Sequence, residues 1–309
     1  MTPMMEQYFE VKNQYKDYLL FYRLGDFYEM FFDDAILASR ELELTLTGRD
    51  CGEAERAPMC GVPFHSAEGY IGRLIEKGYK VAICEQTEDP AMAKGLVKRE
   101  VIRVITPGTL IETNLLSEQK NNYLAAIYLG DSECGVAFAD ISTGQLHATS
   151  FGGSEIESRL RNELGTYTPR ETITNLSAGK LGSLAEFLRG RLGSMLTDNR
   201  PADFEYENAL GATERQFSAE LREGISNQRA LICAIGGLLS YVNEMQKGDT
   251  SYIKSLNVYS DGQFMELDVN TRRNLELTET MRTKEKRGSL LWVLDKTIQR
   301  QAQECCALG

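Results

Sequence analysis

The chain has 309 residues, 42% of them hydrophobic and 26% charged, and a formal net charge of −11. That length exceeds one typical core and sets two or three domains as the expectation for an ordinary soluble globular protein. The acidity excludes a whole-chain electrostatic DNA binder, whose footprint would be basic, while leaving room for one local basic face.

Residues 1–8 lack the basic start and apolar stretch of a signal peptide. Thr2 and Pro3 instead mark a helix start, with Thr2 as N-cap and Pro3 at the first helical position. Met5, Tyr8, Phe9 and Val11 supply its apolar stripe. Residues 19–32 read as extended, interrupted by a turn or bulge at Gly25. Asp33 and Asp34 suit a helix N-terminus, and that helix runs to about Leu42. Residues 44–46 read as a short strand and 47–58 as a polar loop. A helix over residues 66–77 closes at Gly78. Residues 79–86 read as a buried strand, 89–95 as a loop, and 97–106 as a strand ending at Pro107 and Gly108. Residues 1–110 thus form a mixed α+β domain, followed by a polar linker over 111–122.

A second unit opens with hairpin strands over 123–129 and 135–140, and a third strand over 144–150. Helices over 154–164 and 181–190, a strand over 171–174 and a long helix over 227–246 follow. The apolar run 230–242, interrupted by Ser240, belongs to that helix and is too short to span a bilayer. Three antiparallel strands followed by alternating helices and a strand imply an α/β sheet covered by helices. A strand candidate lies within 255–265, and from residue 266 the pattern turns helical. Cys51, Cys60, Cys84, Cys134, Cys233, Cys305 and Cys306 are irregularly spaced and contain no Cys-x-x-Cys pair. Only His65 and His147 could join them at a zinc site, so no metal site is expected. The cysteines read as reduced, mostly buried thiols of a cytosolic protein.

The most informative segment is Gly25-Asp26-Phe27-Tyr28-Glu29. Phe21, Tyr22, Phe27, Tyr28, Phe31 and Phe32 crowd the same stretch and read first as a buried strand or helix start. Glu29 resists that reading, because a carboxylate inside an apolar run needs a partner or solvent. In a strand, Phe27 and Glu29 project from one face and Tyr28 from the other. An aromatic wedge beside a hydrogen-bond acceptor could enter a DNA minor groove and test an unstacked base. Lys94, Lys98, Arg99 and Arg103 crowd a short stretch in which Glu100 is the only acid. They are either phosphate contacts or a solvated charged strand face. Arg23 reads as a local support and His65 as a structural hydrogen-bond residue.

No catalytic constellation stands out. A Gly-x-x-x-x-Gly-Lys-[Ser/Thr] phosphate loop is absent, and Gly179-Lys180 lacks its flanking residues. Asp131, Glu133 and Asp140 could start a nuclease reading, but two of them fall in or near a turn.

Taken in order, several signatures carry a resemblance. They are Thr2-Pro3-Met4-Met5, Leu20-Phe21-Tyr22-Arg23-Leu24-Gly25-Asp26-Phe27-Tyr28-Glu29, and Met59-Cys60-Gly61-Val62-Pro63-Phe64-His65. Val81-Ala82-Ile83-Cys84-Glu85-Gln86, Val104-Ile105-Thr106-Pro107-Gly108-Thr109 and Asp140-Ile141-Ser142-Thr143-Gly144 continue the series. Asn274-Leu275-Glu276-Leu277 and Gly288-Ser289-Leu290-Leu291 complete it. Over residues 2–297 the chain resembles the N-terminal part of the bacterial DNA mismatch repair family MutS.

The resemblance implies an α/β multidomain chain. It would comprise a mixed α+β mismatch-binding domain (1–110), a linker (111–122), an RNase H-like α/β connector domain (123–254) and the beginning of an α-helical core domain (255–297). It implies that Phe27 stacks on a mismatched base from the minor groove and that Glu29 contacts that base. The implied partners are mismatched duplex DNA, a second copy in the full-length homodimer, and a downstream repair protein at the connector. ATP and Mg belong to an ATPase domain that the resemblance places outside this stretch, as it does the DNA-encircling clamp. The stretch itself is then a non-enzyme with no cofactor, cytoplasmic and nucleoid-associated. A rival expectation is a truncated piece that binds no DNA and acts only through connector contacts. Residues 298–309 depart from the family, and a one-base shift of plausible codons restores a family-like continuation, which points to a frameshift.

Overall fold

Among the described residues two six-stranded sheets organise the chain, each in its own compact unit. The computed structural model describes residues 1–52, 55–88, 95–111, 121–219, 224–247, 250–260, 269–283 and 285–294. One unit is Met1–Leu110 with Asn243–Asp249, the other Ile111–Val242 with Thr250–Gly309.

In the first unit, α1 (Pro3–Gln14) begins at the expected proline, with Thr2 extended ahead of it. Thr2 makes no side-chain cap bond, so its backbone geometry rather than its hydroxyl starts the helix. β1 (Leu19–Leu24) and β2 (Phe27–Phe31) form an antiparallel hairpin around Gly25. α2 (Phe32–Leu42) follows without a loop, and Glu43 ends it in the left-handed region. β3 (Thr47–Arg49), β4 (Ala57–Pro63), α3 (Ala67–Glu76), β5 (Val81–Gln86) and β6 (Arg99–Ile105) complete the unit. The sheet order is β3-β4-β2-β1-β5-β6, with β1 and β5 parallel.

Two sequence expectations fail here. Residues 44–46 are not a strand; the strand is β3, inside the expected polar loop. The physical reason is the helix exit. Leu44 N donates back to Ser39 O at 2.9 Å, so the next residues carry the chain away before Thr47 meets Met59 on β4.

α1 packs Tyr8 edge-on against Tyr22 and Phe31, with ring centroids 5.5 and 5.0 Å apart. Asp34, buried at the start of α2, accepts from Leu20 N at 3.1 Å and pairs with Lys12 at 2.8 Å. Burial pushes its carboxyl upward, with the Lys12 contact opposing.

The second unit holds β7 (Tyr123–Leu129), β8 (Glu133–Asp140), β9 (Gln145–Gly152), α4 (Ile156–Tyr167), β10 (Glu171–Thr174), β11 (Met195–Thr197) and β12 (Ser255–Val258). Its order is β11-β10-β7-β8-β9-β12. The three leading strands are antiparallel, and the other pairings are parallel. α4 buries Leu160, Leu164 and Tyr167 against Phe138 and Val136 of β8. The helix Arg229–Met245 approaches β8 so closely that a Cβ on Gly135 would lie 2.0 Å from Ala230 O.

The helix expected over 181–190 forms from residue 183 onward. Gly182, at φ +54°, separates Ala178–Leu181 from Ser183–Glu186, and a π-turn over Phe187–Leu192 follows. β11 and the helix Tyr206–Gln216 were not expected from the sequence. Beyond residue 266 the helical expectation holds only in Val269–Asn274 and Leu290–Leu294 among the described residues. Glu276 adopts φ +48°, and Leu290 N returns to Glu276 O at 3.0 Å. Most of the expected linker, residues 112–120, and the whole tail, 298–309, lie outside the described residues.

Candidate nucleic-acid interface

The β1–β2 hairpin is built to present its tip. Gly25 takes φ +58° at the first of two loop positions, a conformation glycine adopts without steric cost and one that matches strand twist. Arg23 Nε clamps Gly25 O at 2.5 Å, and Phe64 N donates to Asp26 O at 3.0 Å. Arg23 also reaches Glu85 at 3.2 Å and lies 3.5 Å from the Phe64 ring centroid, so its local-support reading holds.

Position along the hairpin then separates the aromatics, since Phe27 lies at its open end. Phe21, Tyr22, Tyr28 and Phe31 are buried, whereas Phe27 is 45% exposed. Tyr28 hydrogen-bonds Glu85 on the opposite face, and burial with that bond pushes its phenol upward. Tyr8 covers the Phe31 end of the Phe27–Glu29–Phe31 face. Toward Phe27 the same face opens to solvent.

Gly61 on β4 pairs with Glu29. A Cβ there would lie 3.4 Å from Glu29 Cγ and 3.6 Å from Phe27 Cδ1. Phe27 and Glu29 therefore share one shallow floor formed by a residue with no side chain. The Glu29 side chain is largely covered, and its carboxylate is ion-paired with Arg49 of β3. That pairing supplies the partner a half-buried carboxylate needs.

The basic residues divide. Arg99 is buried, a correction to its reading as a phosphate contact or part of a solvated face. It donates from Nε to Arg23 O at 2.8 Å and from Nη1 to Gln7 Oε1 and Val97 O, both at 2.9 Å. The guanidinium thus ties β6 to β1 and α1 and is spent inside the unit. Lys98 is exposed and pairs with Glu100 at 2.5 Å, which raises the lysine's affinity for its proton. Arg103 is half-buried on β6, opposite Ile83. Lys94 lies outside the described residues. His65 is exposed, with its ring against Phe64, and among the described residues it makes no hydrogen bond of the structural kind expected.

The acids of the nuclease reading do not converge. Asp140 is buried and accepts from Ser142 N at 2.9 Å, Ser142 Oγ at 2.6 Å and Asn122 N at 3.2 Å, which closes the β8–β9 turn. Asp131 sits exposed in the preceding turn. Among the described residues no three His, Cys, Asp or Glu side chains form a metal-holding group.

Residues 2–114 match the family model of MutS domain I, and residues 122–254 match that of MutS domain II. The chain belongs to the MutS family. The DNA mismatch repair protein MutS of Alkaliphilus oremlandii is 53% identical over 301 residues, covering 96% of this chain and 34% of the relative. MutS of Ruminiclostridium cellulolyticum is 50% identical over 297 residues, with the same coverage. MutS of Caldanaerobacter subterraneus subsp. tengcongensis is 45% identical over 298 residues. The chain thus spans about a third of the length of the MutS relatives it matches. Its mixed α/β architecture agrees with MutS domains I and II. Among the described residues no helix is long and apolar enough to cross a membrane.

Two residues of this face were missed in the sequence. Arg49 stood in a segment read as loop, with nothing local to link it to Glu29. Gly61 stood in a quoted motif, but only the β2–β4 register puts it opposite Glu29.

Proposed function

We propose that this chain carries the mismatch-sensing part of a MutS protein, with Phe27 as the wedge and Glu29 as the contact to the base edge. The observation that carries the reading is the half-exposed Phe27 on a strand whose other aromatics are buried, with Glu29 beside it over Gly61. A mismatched step stacks and pairs poorly, so prising it open costs less than opening a matched one. Selection then comes largely from deformability and not from a base code. A Phe ring stacks on any base, which suits a sensor that must accept many mismatches. Glu29 as carboxylate would accept from a thymine or guanine imino N–H; as the acid it would donate to a purine N7. Lys98 and Arg103 remain candidates for phosphate contact, Lys98 only after Glu100 yields.

On this reading residues 1–110 are the mismatch-binding domain, 123–254 an RNase H-like connector and 255–297 the start of the helical core. The order of three antiparallel strands flanked by parallel ones supports the connector assignment. The homodimer, the ATP- and Mg-dependent ATPase, the nucleoid location and a downstream repair partner at the connector are read across from the whole family. The test is a gel shift comparing a duplex with one G·T mismatch against its matched counterpart. Preferential, weak binding to the mismatch is expected. Equal affinity for both duplexes, or none for either, would favour the rival in which only connector contacts matter.

A further inference from the structure

We propose that Arg49 is a positioning residue for mismatch specificity, holding one oxygen of Glu29 so that the other meets the base edge. The inference rests on the reading of Phe27 and Glu29 as the probe. Arg49 and Glu29 stand on strands that do not pair with each other, since β4 runs between β3 and β2. On the face they share, β4 presents Ala57 opposite Arg49, Gly61 opposite Glu29 and Met59 between the two levels. The long Arg49 side chain reaches diagonally over that face to the carboxylate, whose stem lies over Gly61.

The contact is one-sided. Arg49 Nη1 donates to Glu29 Oε2, and among the described residues nothing else bonds that carboxylate. Oε1 is left to accept from a base. Glu29 is the more covered partner, with 14% of its side chain accessible against 36% for Arg49. Part of the Arg49 side chain therefore stays accessible beside the covered carboxylate.

Two physical effects follow. A bare carboxylate entering a duplex is repelled by phosphates within a Debye length of about 8–10 Å, and an adjacent guanidinium cancels that charge. A freely rotating Glu also loses rotamer entropy on meeting the base, whereas a Glu already held by a planar guanidinium has lost it beforehand. Lysine would supply the charge without the planar fork, and so only part of the aim.

The experiment titrates fluorescent duplexes, one with a single G·T mismatch and one matched, into the full 309-residue chain at fixed salt. Arg49→Ala should lower the ratio of mismatched to matched affinity about tenfold, as expected for losing a charge-assisted hydrogen bond. Arg49→Lys should recover part of that loss. In a Glu29→Gln background, Arg49→Ala should leave the ratio where Glu29→Gln put it. Circular dichroism melts identify any variant that fails to fold. If Arg49→Ala does fail, Arg49→Lys with and without Glu29→Gln reads the same coupling. An unchanged ratio, an equal loss for both duplexes, or the same effect with and without Glu29 overturns the inference. Phe27→Ala serves as the control. A ratio that responds to Phe27 but not to Arg49 removes this inference alone. A ratio of one in the unmodified chain, or one untouched by Phe27→Ala, removes the underlying reading as well.

Discussion

Phe27→Ala is the substitution whose effect can be sized most directly from the structure. A phenylalanine side chain that is fully covered buries about 150–250 Å². Phe27 is 45% exposed, so roughly 90 Å² of that surface is still wet in the free chain. Covering it with a base, at about 25 cal/mol per Å², stabilises the complex by about 2 kcal/mol. Base–aromatic stacking measured by alanine substitution falls in the same range, about 1–3 kcal/mol. Removing the ring should therefore weaken binding to a G·T duplex about 10- to 30-fold. The matched duplex should lose much less, because no opened step receives the ring. Folding should change little, because the ring lies at the open end of the face and not in the core. Fluorescence anisotropy against both duplexes, with a thermal melt of each variant, makes the measurement. Affinity for the mismatch within twofold of the parent, or an equal loss on both duplexes, would refute the wedge argument.

Gly135→Ala should lower the melting temperature of the second unit by about 5–10 °C, read by circular dichroism. Its Cβ would stand 2.0 Å from Ala230 O, and overpacking against backbone costs about 2–3 kcal/mol. Burial pushes the thiols of Cys60 and Cys233 up to about 11 and those of Cys84 and Cys134 to about 12. Iodoacetamide at mildly alkaline pH should leave these four unlabelled until urea is added, and mass spectrometry of the native protein checks it. His147 is buried, with Nδ1 against Asn257 and its ring beside Tyr167, and burial lowers its pKa from 6.5. The unfolded chain then binds a proton that the folded chain refuses, so stability should fall as pH drops below about 6.5. Replacing His147 with Gln should flatten that part of a melting-versus-pH curve, and an unchanged slope would contradict the buried-neutral assignment.

Much of the first unit was legible because its signals are local. Pro3 started α1, the acids at residues 33 and 34 opened α2, Gly78 followed α3, and Gly25 made the hairpin turn. The failures share a cause. Residues 44–46 have strand-like composition, but the left-handed exit at Glu43 directs the chain elsewhere and the pairing falls to Thr47–Arg49. The helix read over 181–190 is present, with its start displaced to residue 183 by Gly182 and its end carried by a π-turn toward β11. Arg99 looked like a surface cation because its neighbours in sequence are charged. Gln7 and Arg23, which take it inside, are remote in sequence.

By itself the sequence determined that Phe27 and Glu29 share a face, because alternation is a property of one strand. It also carried the family, in motifs spread from Thr2 to Leu291. Only the tertiary structure decided which end of that face stays open, that Gly61 forms its floor, and that Arg49 holds Glu29. Those facts depend on which strands pair and in what register. Register is set by contacts between segments far apart along the chain, which no local pattern encodes.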